Sequence, residues 1–233
     1  MTLTLTLVRH GQTTLNARRH LQGACDSPLT RTGRAGVRVT AQHLADHRFD
    51  AVYSSPQGRA VQTAVEILKH HPDQRLRIDH DLRELSFGSY ERLPERSLDA
   101  VQPWSELVPA MLAGGHPGVG GGESGADFMG RVRGVFGRIV AMHGPVADGG
   151  TPSGGAASDP HVLVVGHGLA LGAFLWTLDP SGVVALPNAS VSTVEVSDGA
   201  ARVVASGTDV AGHGAVAARP VPAPLSTLSA TAG

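Results

Sequence analysis

The 233-residue chain is 41% hydrophobic and 17% charged, enough apolar content to bury one large core. Its formal net charge of -1 excludes a general nucleic-acid or anionic-membrane surface, which needs a marked basic excess, so any anion site must be local. The single cysteine, Cys25, excludes an internal disulfide and a multi-cysteine metal site and fits a reducing compartment.

Residues 3–8, LTLTLV, alternate with the period of a strand, and Gly11 breaks the pattern. Arg9 and His10 therefore stand at a strand's carboxyl end, the edge where ligands collect in open α/β sheets. No basic leader or cleavage site precedes this strand, so a cytoplasmic location is expected. Thr30 is placed as the N-cap of a helix carrying Val37, Ala41, Leu44 and Ala45 on one face. FDAVYSS (49–55) reads as a second strand, and residues 56–71 as a helix opened by Pro56. RLRID (75–79) is a short third strand.

From 92 to 127 the pattern dissolves into Pro, Gly and scattered apolar residues, the signature of an irregular lid. A helix is predicted over Asp127–His143, with Phe128, Val132, Val135, Phe136, Ile139 and Val140 as its apolar stripe. Residues 144–160 and 209–233 are Gly-, Ala-, Ser- and Pro-rich, so a flexible loop and a disordered tail are expected around one domain spanning 1–208. VLVVGHGLALGAFLWTL (162–178) approaches the length of a membrane span, but the Gly166-His167-Gly168 interruption divides it into a strand and a short helix. Residues 190–206 read as a hairpin about Asp198 and Gly199. The alternation of strands and helices predicts an α/β three-layer sandwich, a mostly parallel mixed sheet with helices on both faces.

The chemistry gathers at strand ends. If the strands are parallel neighbours, Arg9, His10, Arg59 and His167 converge on one rim. Two guanidiniums and a helix amino terminus suit a tetrahedral oxyanion, because the planar fork matches phosphate oxygens in pairs. His10 is then a candidate nucleophile, and Glu84, in DLRELSFGSY, a candidate proton donor to the leaving alkoxide. Beside a phosphate dianion its pKa should rise.

The blocks VRHGQTTLN, QGACDSPLTRTG, YSSPQGRAVQTA, LRELSFG, GGES and VGHG, in that order, resemble the histidine phosphatase superfamily, the phosphoglycerate-mutase-like fold. The resemblance implies that His10 is phosphorylated, that Arg9, Arg59 and His167 form the phosphate pocket, and that Glu84 donates the proton. It also implies that Gly11, Asn16, Gln22, Gly23 and Gly168 bind the substrate, and that neither a metal nor another cofactor is needed. The expected partner is a small phosphorylated metabolite, with no nucleic acid and no membrane, and oligomeric state is left open.

Two departures concern the substrate. Leu15 replaces a tryptophan common before the asparagine, and the family's frequent Trp-Glu-Gly appears as Tyr90-Glu91-Arg92. The lysine-bearing stretch and arginine pair of the mutases are missing, since Lys69 is the only lysine, so hydrolysis is favoured over mutase transfer. Two further readings rank lower. GHGLALG imitates a dinucleotide-binding turn without the following acidic residue, and His43 and His47 share a helix face without the third ligand of a metal hydrolase. A non-catalytic phosphate-binding module would not require all five catalytic-type residues.

Overall fold

The computed structural model describes residues 1–144, 159–181 and 185–212, so the expectations for the loop over 145–158 and the tail from 213 lie outside the described residues. Six strands form one sheet: β1 (Leu3–Arg9), β2 (Ala51–Ser54), β3 (Leu76–Ile78), β4 (His161–Gly166), β5 (Val191–Ser197) and β6 (Ala200–Thr208). Their spatial order is β3-β2-β4-β1-β5-β6. The pairs β2/β3, β2/β4 and β1/β4 are parallel, whereas β1/β5 and β5/β6 are antiparallel, the mixed sheet expected. The β5–β6 hairpin turns at Asp198 and Gly199, with φ of 51° and 77°, the left-handed pair that a two-residue turn of this kind needs.

The helices cover both faces. Helices α2 (Arg31–His43) and α3 (Gly58–Leu68) bury Ala41, Ala60, Ala64 and Ile67 against Val8, Val52, Leu163 and Val165. On the other face α5 (Trp104–Leu112), α6 (Gly125–His143) and α7 (Gly168–Leu178) cover Leu3, Leu5, Leu7, Val162 and Val164. Phe136 of α6 and Phe174 of α7 stack there, ring centroids 3.7 Å apart. Short helices α1 (Thr14–Ala17) and α4 (Glu95–Asp99) complete the set. No helix among the described residues is long and apolar enough to cross a membrane; the apolar run at 162–178 divides into β4 and α7 as its glycines predict.

The segment 92–127 is not irregular throughout. Pro94 and Pro103 sit at the N-caps of α4 and α5, where a missing N–H costs nothing, and Leu98, Leu107, Met111 and Leu112 are buried in the core. The short helices and Pro109 inside α5 hide the period from a sequence window. Helix α6 likewise begins two residues early, because the Ser124 hydroxyl accepts from the Asp127 N–H at 3.1 Å. In β1, Thr6 is as buried as the leucines, since helices cover both faces; its hydroxyl is bonded to His161 Nε2 at 2.8 Å.

His161 begins β4 at the sheet edge opposite the strands' carboxyl ends, among the rings of His47 and Phe49. Burial, and secondarily the nearby His47, lower its pKa from 6.5 to about 4, with Asp50 opposing. A histidine depressed on folding contributes stability that is complete above its unfolded value and is lost as the pH falls from 6.5 toward 4. After discounting for solvent screening of a partly exposed ring, the loss is about 1–2 kcal/mol. Urea unfolding at pH 7.5 and pH 4 checks this: the wild-type protein should lose about that much more stability between the two than His161→Gln. Equal losses would contradict it.

Candidate active site

The parallel pairing of β1 and β4 sets Arg9 opposite Gly166, so His10 and His167 leave adjacent strands side by side. Their rings are 5.2 Å apart between centroids, and both are buried. His10 N–H donates to the Gly166 carbonyl at 2.9 Å, fixing the backbone. His10 Nδ1 lies 2.8 Å from the Gly11 carbonyl, which can only accept, so Nδ1 carries the hydrogen and Nε2 keeps its lone pair. Burial, then the charges of Arg59 and Arg9, hold His10 well below the ordinary imidazole range, and it is neutral at pH 7. The same causes act on His167, whose Nε2 meets the Ser55 hydroxyl at 2.7 Å.

Gly11 is small for a reason of contact. A Cβ there would stand 2.4 Å from Val37 Cγ2 and 2.9 Å from the Gly33 carbonyl, so the turn after β1 lies flat against α2. Gly11 N–H donates to the Thr63 hydroxyl at 3.1 Å, and Thr63 donates to the Arg59 carbonyl at 2.8 Å, tying the turn to α3. Gly168 packs on the Arg9 guanidinium, where a Cβ would lie 3.3 Å from Cζ.

Arg59 is fully buried at the start of α3. Its Nη1 donates to the Cys25 carbonyl at 2.8 Å and the Asp26 carboxylate at 3.0 Å, and Nη2 to the Gly23 carbonyl at 2.9 Å. Arg9 Nη1 donates to the Leu186 carbonyl. After these bonds Arg9 Nε, Arg59 Nε and His167 Nδ1 remain buried without a partner among the described residues. Buried polar groups nearly always find partners, and here three of them belong to the residues predicted to grip an anion.

Glu84 follows β3 and turns inward. Its Oε1 accepts from the N–H of Leu85 at 2.9 Å and of Ala170 at 3.0 Å, and Oε2 from Leu169 at 2.9 Å, so the carboxylate caps α7 beside His167. Burial raises its pKa, and it prevails over the amides of Leu169 and Leu85 and the charges of Arg59 and Arg9, which pull the other way. The chain is anchored from behind by Arg131 on α6. This side chain pairs with both Glu123 oxygens at 2.6 Å and donates to the carbonyls of Asp81, Arg83 and Glu84, which gives the GGES block its place.

Gln22 and Gly23 belong to the loop over Arg59. With the Gln22 nitrogen facing the Thr13 and Ser27 hydroxyls, its oxygen accepts from Arg59 Nη1 at 3.2 Å. A Cβ at Gly23 would sit 1.9 Å from the Leu85 carbonyl. Asn16 is engaged locally, its oxygen accepting from Thr13 N–H at 3.2 Å and from Asn188 Nδ2 at 3.3 Å.

Sequence reasoning gave no role to Arg131, nor to three further residues that shape the site. Asn188 also donates to the His10 carbonyl at 3.2 Å. Gln57 accepts from Glu84 N–H at 2.9 Å while its amide nitrogen donates to the Gly23 carbonyl. The Glu91 carboxylate accepts from the N–H groups of Gly23, Ala24, Cys25 and Phe87. Burial works to raise Glu91, but the hydrogen bonds from Cys25, Phe87 and Ala24 outweigh it, and the group lies below its ordinary value. Cys25 beside it is pushed up to about 12, by burial and then by Glu91, so the thiol stays protonated. The acid kept from the Trp-Glu-Gly motif, between Tyr90 and Arg92, was the available signal for Glu91.

A sequence profile of the histidine phosphatase superfamily (branch 1) matches residues 5–209. A probable phosphoglycerate mutase GpmB of Yersinia enterocolitica is 34% identical over 173 residues, 74% of this chain and 73% of that protein. The phosphoglycerate mutase structure from Bacillus anthracis superposes with a TM-score of 0.72 at 26% identity, over 90% of this chain and 95% of the other. A mycobacterial glucosyl-3-phosphoglycerate phosphatase structure gives 0.72 at 26% identity, over 89% of this chain and 100% of its own. With two histidines, two arginines and a buried glutamate set at the ends of a matching sheet, the chain belongs to the histidine phosphatase superfamily.

Proposed function

We propose that the protein is a metal-independent phosphomonoesterase that hydrolyses a small phosphorylated metabolite in the cytoplasm through a phosphohistidine at His10. The observation that carries this reading is the set of three buried nitrogens without a partner among the described residues, Arg9 Nε, Arg59 Nε and His167 Nδ1, around a neutral His10 whose Nε2 holds a free lone pair. In the tautomer in which the Ser55 hydroxyl donates to Nε2, His167 Nδ1 carries a hydrogen, and all three nitrogens are donors toward phosphoryl oxygens.

The reaction runs in two displacements. His10 Nε2 attacks phosphorus, the ester P–O bond breaks, and Glu84 gives its proton to the departing alkoxide. Water then attacks the phosphohistidine, Glu84 takes up its proton, and the P–N bond breaks to return neutral His10 and release phosphate. The arginines and His167 stabilise the charge on the transferring group throughout.

The test is quench-trapping. Wild-type protein mixed with p-nitrophenyl phosphate and excess EDTA, then quenched in base, should show a phosphoryl adduct mapping to His10 by mass spectrometry. Turnover without such an adduct, and dependent on added metal, would refute the reading.

A further inference from the structure

We propose that Glu91 is a positioning residue for phosphoryl transfer: from behind the Gly23–Cys25 loop, its carboxylate sets the Arg59 guanidinium in the phosphate pocket. This rests on the phosphomonoesterase reading above, in which Arg59 grips the transferring group. Glu91 acts through the loop, holding one side of it while Arg59 holds the other.

The side that Glu91 holds consists of N–H groups. Its Oε1 accepts from Ala24 N–H at 2.8 Å and Phe87 N–H at 2.9 Å, and its Oε2 from the N–H groups of Gly23 and Cys25, each at 3.1 Å. The Cys25 thiol is a further donor, so peptide dipoles and a thiol meet this charge where a cation would be usual. Burial works to raise its pKa, but the bonds from Cys25, Phe87 and Ala24 prevail, and the group is ionised at pH 7. Gly23 is pressed onto it: a Cβ there would stand 2.6 Å from Glu91 Oε1.

The carbonyls of the same loop face the other way. Gly23 O accepts from Arg59 Nη2 at 2.9 Å, and Cys25 O from Nη1 at 2.8 Å. The peptide between Gly23 and Ala24 therefore has its oxygen on the Arg59 cation and its N–H on the Glu91 anion. A dipole aligned between opposite charges strengthens the bonds at both of its ends. With both terminal nitrogens of Arg59 committed to the loop, the aim of its buried Nε follows from where those carbonyls stand. Asp26 pairs with Nη1 directly at 3.0 Å, but it is 40% exposed and bonds one nitrogen, whereas the two carbonyls orient the guanidinium plane. Gln57 braces the carbonyls of Gly23 and Ala24, and supplies no acceptor to the N–H side.

Kinetics on p-nitrophenyl phosphate with Glu91→Gln, Arg59→Lys and the double variant test this. Glutamine keeps the volume but turns its NH2 on two of the loop's donors, so kcat/KM should fall about 10- to 100-fold. In the Arg59→Lys background, where no guanidinium is left to aim, the same change should cost less than about threefold. Circular dichroism at the assay temperature confirms that each variant is folded. Unchanged kcat/KM in folded Glu91→Gln overturns the proposal, and so does a loss that multiplies with that of Arg59→Lys, the mark of a role in stability alone. Where either of these variants does not fold, the Arg59 Nε–H signal in nitrogen-proton NMR decides, with Glu91→Asp, which keeps the charge at shorter reach. Saturating inorganic phosphate should move that signal in wild type and move it less in Glu91→Asp; equal movement overturns the proposal. Failure of the phosphohistidine reading shows separately, as a missing His10 adduct in the wild-type protein.

Discussion

Replacing His10 with alanine should lower kcat for p-nitrophenyl phosphate by on the order of 10⁴-fold or more, because no other group can take its place in the attack. Among neighbouring side chains, His167 has one nitrogen on Ser55 and, in the reaction proposed, the other donating to a phosphoryl oxygen, and the two arginines are cations without lone pairs to give. The pocket itself should survive. Arg9 is tethered to Leu186, and Arg59 to the loop at Gly23, Cys25 and Asp26, by bonds that do not involve the His10 ring. The variant should therefore remain folded by circular dichroism and still bind inorganic phosphate by calorimetry. A His10→Ala protein with near wild-type turnover would remove the assignment.

Glu84→Gln should separate substrates by their leaving groups. An alkyl phosphate expels a strongly basic alkoxide and needs the proton, so its kcat/KM, which excludes the later hydrolysis of the phosphohistidine that both esters share, should fall by about 10²–10⁴-fold. A nitrophenolate leaves unaided, and the loss on the aryl ester should be far smaller. A structural penalty acts on both: the glutamine nitrogen cannot accept from Leu169 N–H as Oε2 does, so α7 loses part of its cap, about 1 kcal/mol. Comparing the two esters removes that common part. Equal losses on alkyl and aryl phosphates would leave Glu84 as a helix cap alone.

The site was legible in the sequence wherever its chemistry sits at the end of a strongly patterned strand. Arg9 and His10 after LTLTLV, Arg59 after FDAVYSS and His167 after VLVVG stand where alternation or an apolar run stops, and parallel pairing carries those ends to one rim. The residues that hold the rim together were not legible. Gln57, Glu91, Arg131 and Asn188 act by bonding to backbone carbonyls or amides far away in the chain, and no local period marks such a partner. The same holds for the fold. Long helices such as α6 announce themselves over several turns, whereas α4 and α5 are short, begin after prolines and, in α5, contain one, so their burial of Leu98 and Leu107 is a tertiary fact. Arg92 lies between these cases: the replaced glycine of a motif was visible, and the left-handed backbone that makes glycine usual there was not.

The placement of β1 has a bearing on how the protein is made. This strand is flanked by β4 and β5, formed by residues 161–166 and 191–197, so both of its edges wait on chain that leaves the ribosome well after it. Such distant pairing slows folding and leaves a long apolar strand unsheltered during synthesis. Helices α2 and α3 can pair early with each other, but the imidazoles cannot meet until the sheet closes around its oldest strand. The two histidines thus come together only after β4 has been made.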